Sequence, residues 1–239
     1  MSSTLVAGVD GSRAGWVYVV IDATSERVQA CSVAPTFSEL LLQTTACVIV
    51  AIDIPIGLPD EVERGGRSSD REARTLLRPT RHTSVFAAPP RSVLQARSFD
   101  EANELHREHS AGGIGMSRQA YGLLPKIAEV DDLMTPRIQQ RVMEVHPELS
   151  FMELNGGSPL SLAKSSAGGL LARMRLLSTT GLTEGLEGLA GDLGRARLDD
   201  LLDAVAAAWT AMRVHNGGAV RIPLVEEVDV RGLRMEVWR

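Results

Sequence analysis

Apolar positions near the start of the chain fall into three short runs, 5–9, 16–21 and 28–33, separated by turn-rich stretches at 11–15 and 22–26. This punctuation predicts a three-stranded antiparallel meander. Helical spacing over 37–43 predicts a short amphipathic helix, and the run 48–52 predicts a fourth strand. From Pro59 to about Arg141 strand-like runs become scarce. Helices are predicted over 61–77, 98–110 and 119–133, with an extended loop at 85–90, so about 59–141 reads as a mainly helical insertion between the fourth and fifth strands. Strand character resumes at 141–145 and stops at His146-Pro147-Glu148. Helical patterns follow over 163–178 and 199–214, and about 225–238 reads as a terminal hairpin with Arg231-Gly232 in its turn. The expectation is an α/β fold, a mixed sheet flanked by helices, in a single domain over 1–239.

Bulk composition narrows the class without naming a function. The chain has 239 residues, 44% of them hydrophobic and 23% charged, as in ordinary soluble proteins. No apolar run is long enough to span a bilayer, and Met1-Ser-Ser-Thr4 lacks the basic start and apolar core of a signal peptide, so a cytoplasmic protein without membrane partners is expected. Cys31 and Cys47 lie in apolar, strand-like surroundings without a nearby Cys partner, which predicts reduced thiols. A net charge of −5 argues against a protein that coats nucleic acid, yet leaves room for a local basic groove. Lys126 and Lys164 are the only lysines, so the preference for Arg elsewhere carries no information about phosphate recognition.

The chemistry lies in carboxylates at strand ends. Asp10 closes the run that begins at Leu5 and is followed by Gly11-Ser12; Asp53 closes the run from Cys47 and is followed by Ile54-Pro55-Ile56-Gly57. A buried strand that ends this way delivers its acid to the carboxyl edge of the sheet, where open α/β sheets bind ligands. Two such acids on adjacent strands need a cation between them, and for an oxygen-only site that cation is Mg²⁺ or Mn²⁺. Asp200 and Asp203 share a helix face, Asp203 being followed by small residues that let the helix approach the sheet, while Asp199 reads as a helix cap. Glu144 or Glu148 is expected to complete the set, with strand position favouring Glu144, and His146 reads as a hydrogen-bonded turn residue before Pro147. Arg64, Arg67, Arg71, Arg74, Arg78 and Arg81 recur at spacings of three and four. Such a stripe is commonly a solvated face; following the Asp53 loop directly, Arg67, Arg71 and Arg74 are candidate phosphate clamps, joined by Lys126. His106 and His109 read as surface residues.

Seven blocks occur in order: Gly8-Val-Asp-Gly-Ser-Arg-Ala-Gly-Trp16, Ile52-Asp-Ile-Pro-Ile-Gly57, Arg67-Ser-Ser-Asp-Arg-Glu-Ala-Arg74, Ser84-Val-Phe86, Lys126-Ile-Ala-Glu-Val-Asp131, Glu144-Val-His-Pro-Glu148 and Asp200-Leu-Leu-Asp-Ala204. Together they resemble the DUF429 family through most of the chain. The resemblance implies a nuclease of the ribonuclease H-like fold, and the predicted order βββαβ is the front half of such a sheet. By similarity to Holliday-junction resolvases, which act as dimers, it places divalent ions on Asp10, Asp53 and the Asp200/Asp203 pair. Ser69 departs from relatives that carry Cys there, which argues against a catalytic thiol. The expected activity is metal-dependent phosphodiester hydrolysis of DNA or RNA, with Asp10, Asp53, Glu144 and Asp203 as catalytic acids. The alternatives are an ATP-dependent phosphotransferase of the actin and sugar-kinase superfamily, which usually carries two such domains, and a non-catalytic nucleic-acid-binding or adaptor protein.

Overall fold

The computed structural model describes residues 3–191 and 193–239. In chain order the elements are β1 (Leu5–Ser12), β2 (Gly15–Asp22), β3 (Arg27–Ala34), α1 (Phe37–Gln43), β4 (Cys47–Ile52), α2 (Ser68–Leu76), α3 (Phe99–Glu108), α4 (Arg118–Leu133), β5 (Val142–Glu144), α5 (Pro147–Leu154), α6 (Ala167–Ser178), α7 (Leu186–Leu189), α8 (Leu198–His215), β6 (Arg221–Ile222) and β7 (Val237–Trp238). β1 to β5 form a mixed sheet ordered β3-β2-β1-β4-β5. The meander β1–β2–β3 is antiparallel, whereas β4 pairs parallel with both β1 and β5. Among the described residues no helix is long and apolar enough to cross a membrane.

Helices cover both faces of the sheet, which is why β1 and β2 read as continuous apolar runs. On one face Val6, Val17, Val19 and Ile21 pack against α8 with Phe151 of α5 and Leu177 of α6. On the other, Val9, Trp16, Tyr18 and Ile52 pack against Phe37 and Leu40 of α1 and Ile127 and Val130 of α4. α8 lies against the middle of the sheet and is buried on almost every side from Leu201 to Ala208, as a central helix with an apolar circumference should be. It comes so close because Gly8 has no side chain: a Cβ there would lie 1.9 Å from the Ala208 nitrogen and 2.2 Å from the Ala204 oxygen.

Three predicted elements change extent. The helix expected over 61–77 is confined to α2, because Gly65 and Gly66 adopt φ of +96° and +91° immediately before it. At Gly66 a Cβ would also meet the Asp70 carboxylate at 2.4 Å. The arginine stripe therefore shrinks to Arg67, Arg71 and Arg74, with Arg64, Arg78 and Arg81 outside the helix. The helix expected from 163 begins at Ala167, its N-cap Ser166 accepting a 3.0 Å hydrogen bond from the Gly169 N–H. In the terminal segment, Gly232 turns the chain at φ +76° below a single Val228–Arg234 bridge, but β7 pairs with β6, upstream of the predicted hairpin.

Candidate functional site

Strand alternation decides which acids meet. Val6, Gly8 and Asp10 occupy alternate positions of β1, and Val6 and Gly8 face α8, so Asp10 emerges on the α8 side at the strand end. On β4, Ala51 packs in the α8 core and Ile52 in the opposite one. Asp53 continues the ladder, its N–H donating to the Val9 carbonyl at 3.0 Å, and returns to the α8 side. Asp203 comes from α8 itself, one residue before Ala204 on Gly8. All three carboxylates line one cavity of about 370 Å³ at the carboxyl ends of β1 and β4.

Their electrostatics show the cost of this convergence. Burial raises Asp10 well above the usual carboxylate range, and repulsion from Asp203 and Asp53 adds to it. Burial likewise raises Asp53, moderated by His146 and Lys164. Asp203 is pushed up to about 6, chiefly by burial, against the pull of Lys164. The Lys164 ammonium donates to Asp203 Oδ2 at 2.7 Å and is held in its charged form; burial opposes that charge, but Asp203 and Asp10 outweigh it. By contrast, the Asp10 and Asp53 carboxylates accept no hydrogen bond from the described residues.

A further carboxylate, Glu148, and its neighbour Arg81 line the same cavity. Glu148, in the first turn of α5, is buried; one oxygen accepts from Arg173 and lies 4.0 Å from Arg81, while Oε2 is buried without a partner among the described residues. Such an orphan oxygen carries a desolvation cost unless a ligand or ion meets it. The apolar part of the cavity lining includes Ile54, Pro55, Val85, Phe86 and Leu123.

The model of DUF429, a protein family of unknown function, matches residues 8–228. The chain belongs to the DUF429 family. No curated protein and no solved structure matches it. The span shared with DUF429 takes in Asp10, Asp53, Glu148, Lys164 and Asp203 and leaves out β7.

Within the DUF429 span, several expected site residues have other work. Glu144 borders the same cavity, but it pairs in register with Ile52 and so leaves the sheet on the face opposite Asp10 and Asp53. There its oxygens accept from the Ile56 N–H at 2.7 Å and from Arg67 at 2.6 and 2.8 Å. Burial drives Glu144 up to about 7 against the pull of Arg67. Arg67 is itself buried: besides Glu144 it holds Asp70 at 2.8 Å and the carbonyls of Ile56 and Gly57. It is therefore the tie between the Asp53 loop, α2 and β5 and has no donor directed to a phosphate. Arg71 pairs with Glu63 at 2.8 Å, and Arg74 donates to the carbonyls of Val85 and Gly65. These three arginines fasten the loops around α2, contrary to the expected clamp.

Lys126 does reach the cavity, yet its ammonium donates to the Gly15 carbonyl at 2.8 Å and lies 4.1 Å from the Trp16 ring centre, tying α4 to the β1–β2 turn. Burial lowers its affinity for a proton, against attraction to Glu129 and Asp10. Asp200 lines the cavity too, but one carboxylate oxygen accepts the Arg197 N–H at 3.0 Å, closing the first turn of α8; the capping role expected of Asp199 falls to Asp200. His146 caps α5, its Nδ1 accepting from the Glu148 N–H at 3.2 Å, as a turn residue before proline should. Lys164 was missed in the sequence; its one signal there is that it is one of only two lysines.

Proposed function

We propose that this protein is a divalent-metal-dependent phosphodiesterase of the ribonuclease H-like fold, acting on nucleic acid. The observation that carries the reading is the convergence of Asp10, Asp53 and Asp203, from β1, β4 and α8, around one ammonium, that of Lys164. Of the three carboxylates only that of Asp203 is hydrogen-bonded to a cation among the described residues, which leaves excess negative charge that a divalent cation would neutralise. The strand order β3-β2-β1-β4-β5, with acids at the ends of β1 and β4 and on the last long helix, supports the fold assignment.

The residues fit Mg²⁺ or Mn²⁺ in donor type and charge. All the donors are oxygens, and those of Asp10 and Asp53 are uncommitted among the described residues. No three acidic, His or Cys side chains among the described residues stand close enough to hold an ion as placed, and Asp203 is engaged by Lys164. Asp10, Asp53 and Asp203 would hold the metal once drawn together. A bound ion of this kind supplies a deprotonated water and charge stabilisation at the phosphoryl oxygens. The chain itself contributes a recessed site whose lining includes the cations Lys164, Lys126 and Arg81. Lys164 Nζ, bonded to Asp203, is placed to share its remaining hydrogens with a phosphate oxygen arriving over the acids.

The test is cleavage of labelled DNA, RNA and hybrid strands in Mn²⁺, Mg²⁺ or EDTA, beside Asp53→Asn. Metal-dependent cleavage lost in the variant supports the reading; full activity of Asp53→Asn overturns it.

A further inference from the structure

The depth of the acid cluster and the shape of its cavity point to a substrate class, an inference that rests on the phosphodiesterase reading. Asp10 is 6% exposed and Asp203 2%, and Asp53 beside them is half-buried, so the acids are recessed among the residues that line the cavity. An intact duplex is a stiff rod whose backbone cannot descend into an opening of about 370 Å³. That volume is of the order of a single small-ligand site. Phe86 lines the same cavity as the acids, is 39% exposed despite its size, and also borders a neighbouring cavity of about 180 Å³. An exposed aromatic side chain lining one cavity with carboxylates and Lys164 combines a surface on which a flat base can stack with groups that meet a phosphate.

We infer that the cavity takes one unpaired nucleotide unit, its base on Phe86 and its phosphodiester over Asp10, Asp53 and Asp203. A free dinucleotide and a single-stranded end share this chemistry. Duplex DNA is excluded unless a nucleotide is first extruded from the stack.

Binding and cleavage are read separately. In Mn²⁺, a labelled dinucleotide, a single-stranded 12-mer and a covalently closed duplex are titrated onto Asp53→Asn and incubated with the unaltered protein. The dinucleotide and single strand are expected to bind, and the closed duplex at least tenfold more weakly. Phe86→Ala should weaken dinucleotide binding about tenfold, the size of one base–aromatic stack, and Phe86→Tyr should restore it. Binding of the dinucleotide alone means free small phosphodiesters are the source; binding of both identifies strand ends as well. Equal binding of the closed duplex, failure of the dinucleotide to bind, or indifference to Phe86→Ala in a variant with an unchanged thermal midpoint would overturn the inference. Cleavage of the duplex without dinucleotide binding would do so while sparing the phosphodiesterase reading. Phe86-dependent binding without cleavage of any member would uphold the inference and remove the hydrolytic one.

Discussion

The Lys164 ammonium lies 2.7 Å from Asp203 Oδ2, supplying a cation to an acid cluster built from β1, β4 and α8. It comes from the loop before α6, so a surface segment contributes the charge that offsets a buried defect. Lys164→Met should lower stability at pH 7.5 by about 1–2 kcal/mol. That is below the range for breaking a wholly buried pair, because the Lys164 side chain is 44% exposed. Millimolar Mn²⁺ should then raise the thermal midpoint of Lys164→Met more than that of the unaltered protein. Equal midpoints without metal would show that the pair supports nothing.

Acidification should stabilise the metal-free protein through the same cluster. Asp203 has its proton affinity raised from an ordinary 3.8 to about 6, so between those values the folded chain retains a proton that the unfolded chain has released. Stability then falls as pH rises through this window and stays at its lower level above it. Glu144, raised from 4.5 to about 7, acts in the same direction and extends the trend. Denaturant unfolding in EDTA at intervals from pH 4 to 7.5 should show this decline, and Asp203→Asn should flatten its lower half. A slope unchanged by Asp203→Asn would assign the effect elsewhere.

Asp10→Asn should separate stability from activity. Removing a buried charge repelled by Asp203 and Asp53 stabilises the metal-free fold, by an amount on the order of 1 kcal/mol, or about 2–4 °C in thermal midpoint for a chain of this size. Stabilisation by Mn²⁺ should shrink in the variant and phosphodiester cleavage should cease. A lower midpoint would mean that the Asp10 carboxylate makes a structural bond that the geometry does not contain.

Much of this site was legible in the linear pattern, and what was not depends on register. Asp10 and Asp53 stand out because each ends a run apolar on both faces, and the alanines after Asp203 announce a helix in close contact with something. Glu144 has the same signature, but its pairing with Ile52 turns it to the other face, and a one-residue difference in strand offset is invisible without the partner strand. The arginine spacing implied a continuous helix from 61, which the left-handed Gly65-Gly66 pair interrupts; that dipeptide was the available warning. Lys164 falls inside the helix expected from 163, yet it lies in the loop before α6, and only tertiary folding brings it to Asp203.

Arg67 provides a direct test of that correction. A phosphate clamp can be removed without unfolding the protein, whereas a buried guanidinium shared by Asp70, Glu144 and two carbonyls cannot. Arg67→Ala leaves two buried acids unpaired and should cost about 3–5 kcal/mol in urea unfolding. An unchanged denaturation midpoint with a weakened affinity for nucleic acid would return Arg67 to the substrate.

Gly8→Ala tests whether the approach of α8 to β1 sets the acid cluster. The added methyl would stand 1.9 Å from the Ala208 nitrogen and 2.2 Å from the Ala204 oxygen, both backbone atoms that no rotamer change can move. Relief requires α8 to retreat from the sheet, carrying Asp203 away from Asp10. Overpacking of this kind costs about 1–3 kcal/mol or more, so a lowered but measurable thermal midpoint is expected. The more telling readout is the metal: with Asp203 displaced, the gain in midpoint from Mn²⁺ should fall although every acidic residue is still present. Gly8→Ala with full Mn²⁺ stabilisation would show that the acids are positioned independently of the β1–α8 contact.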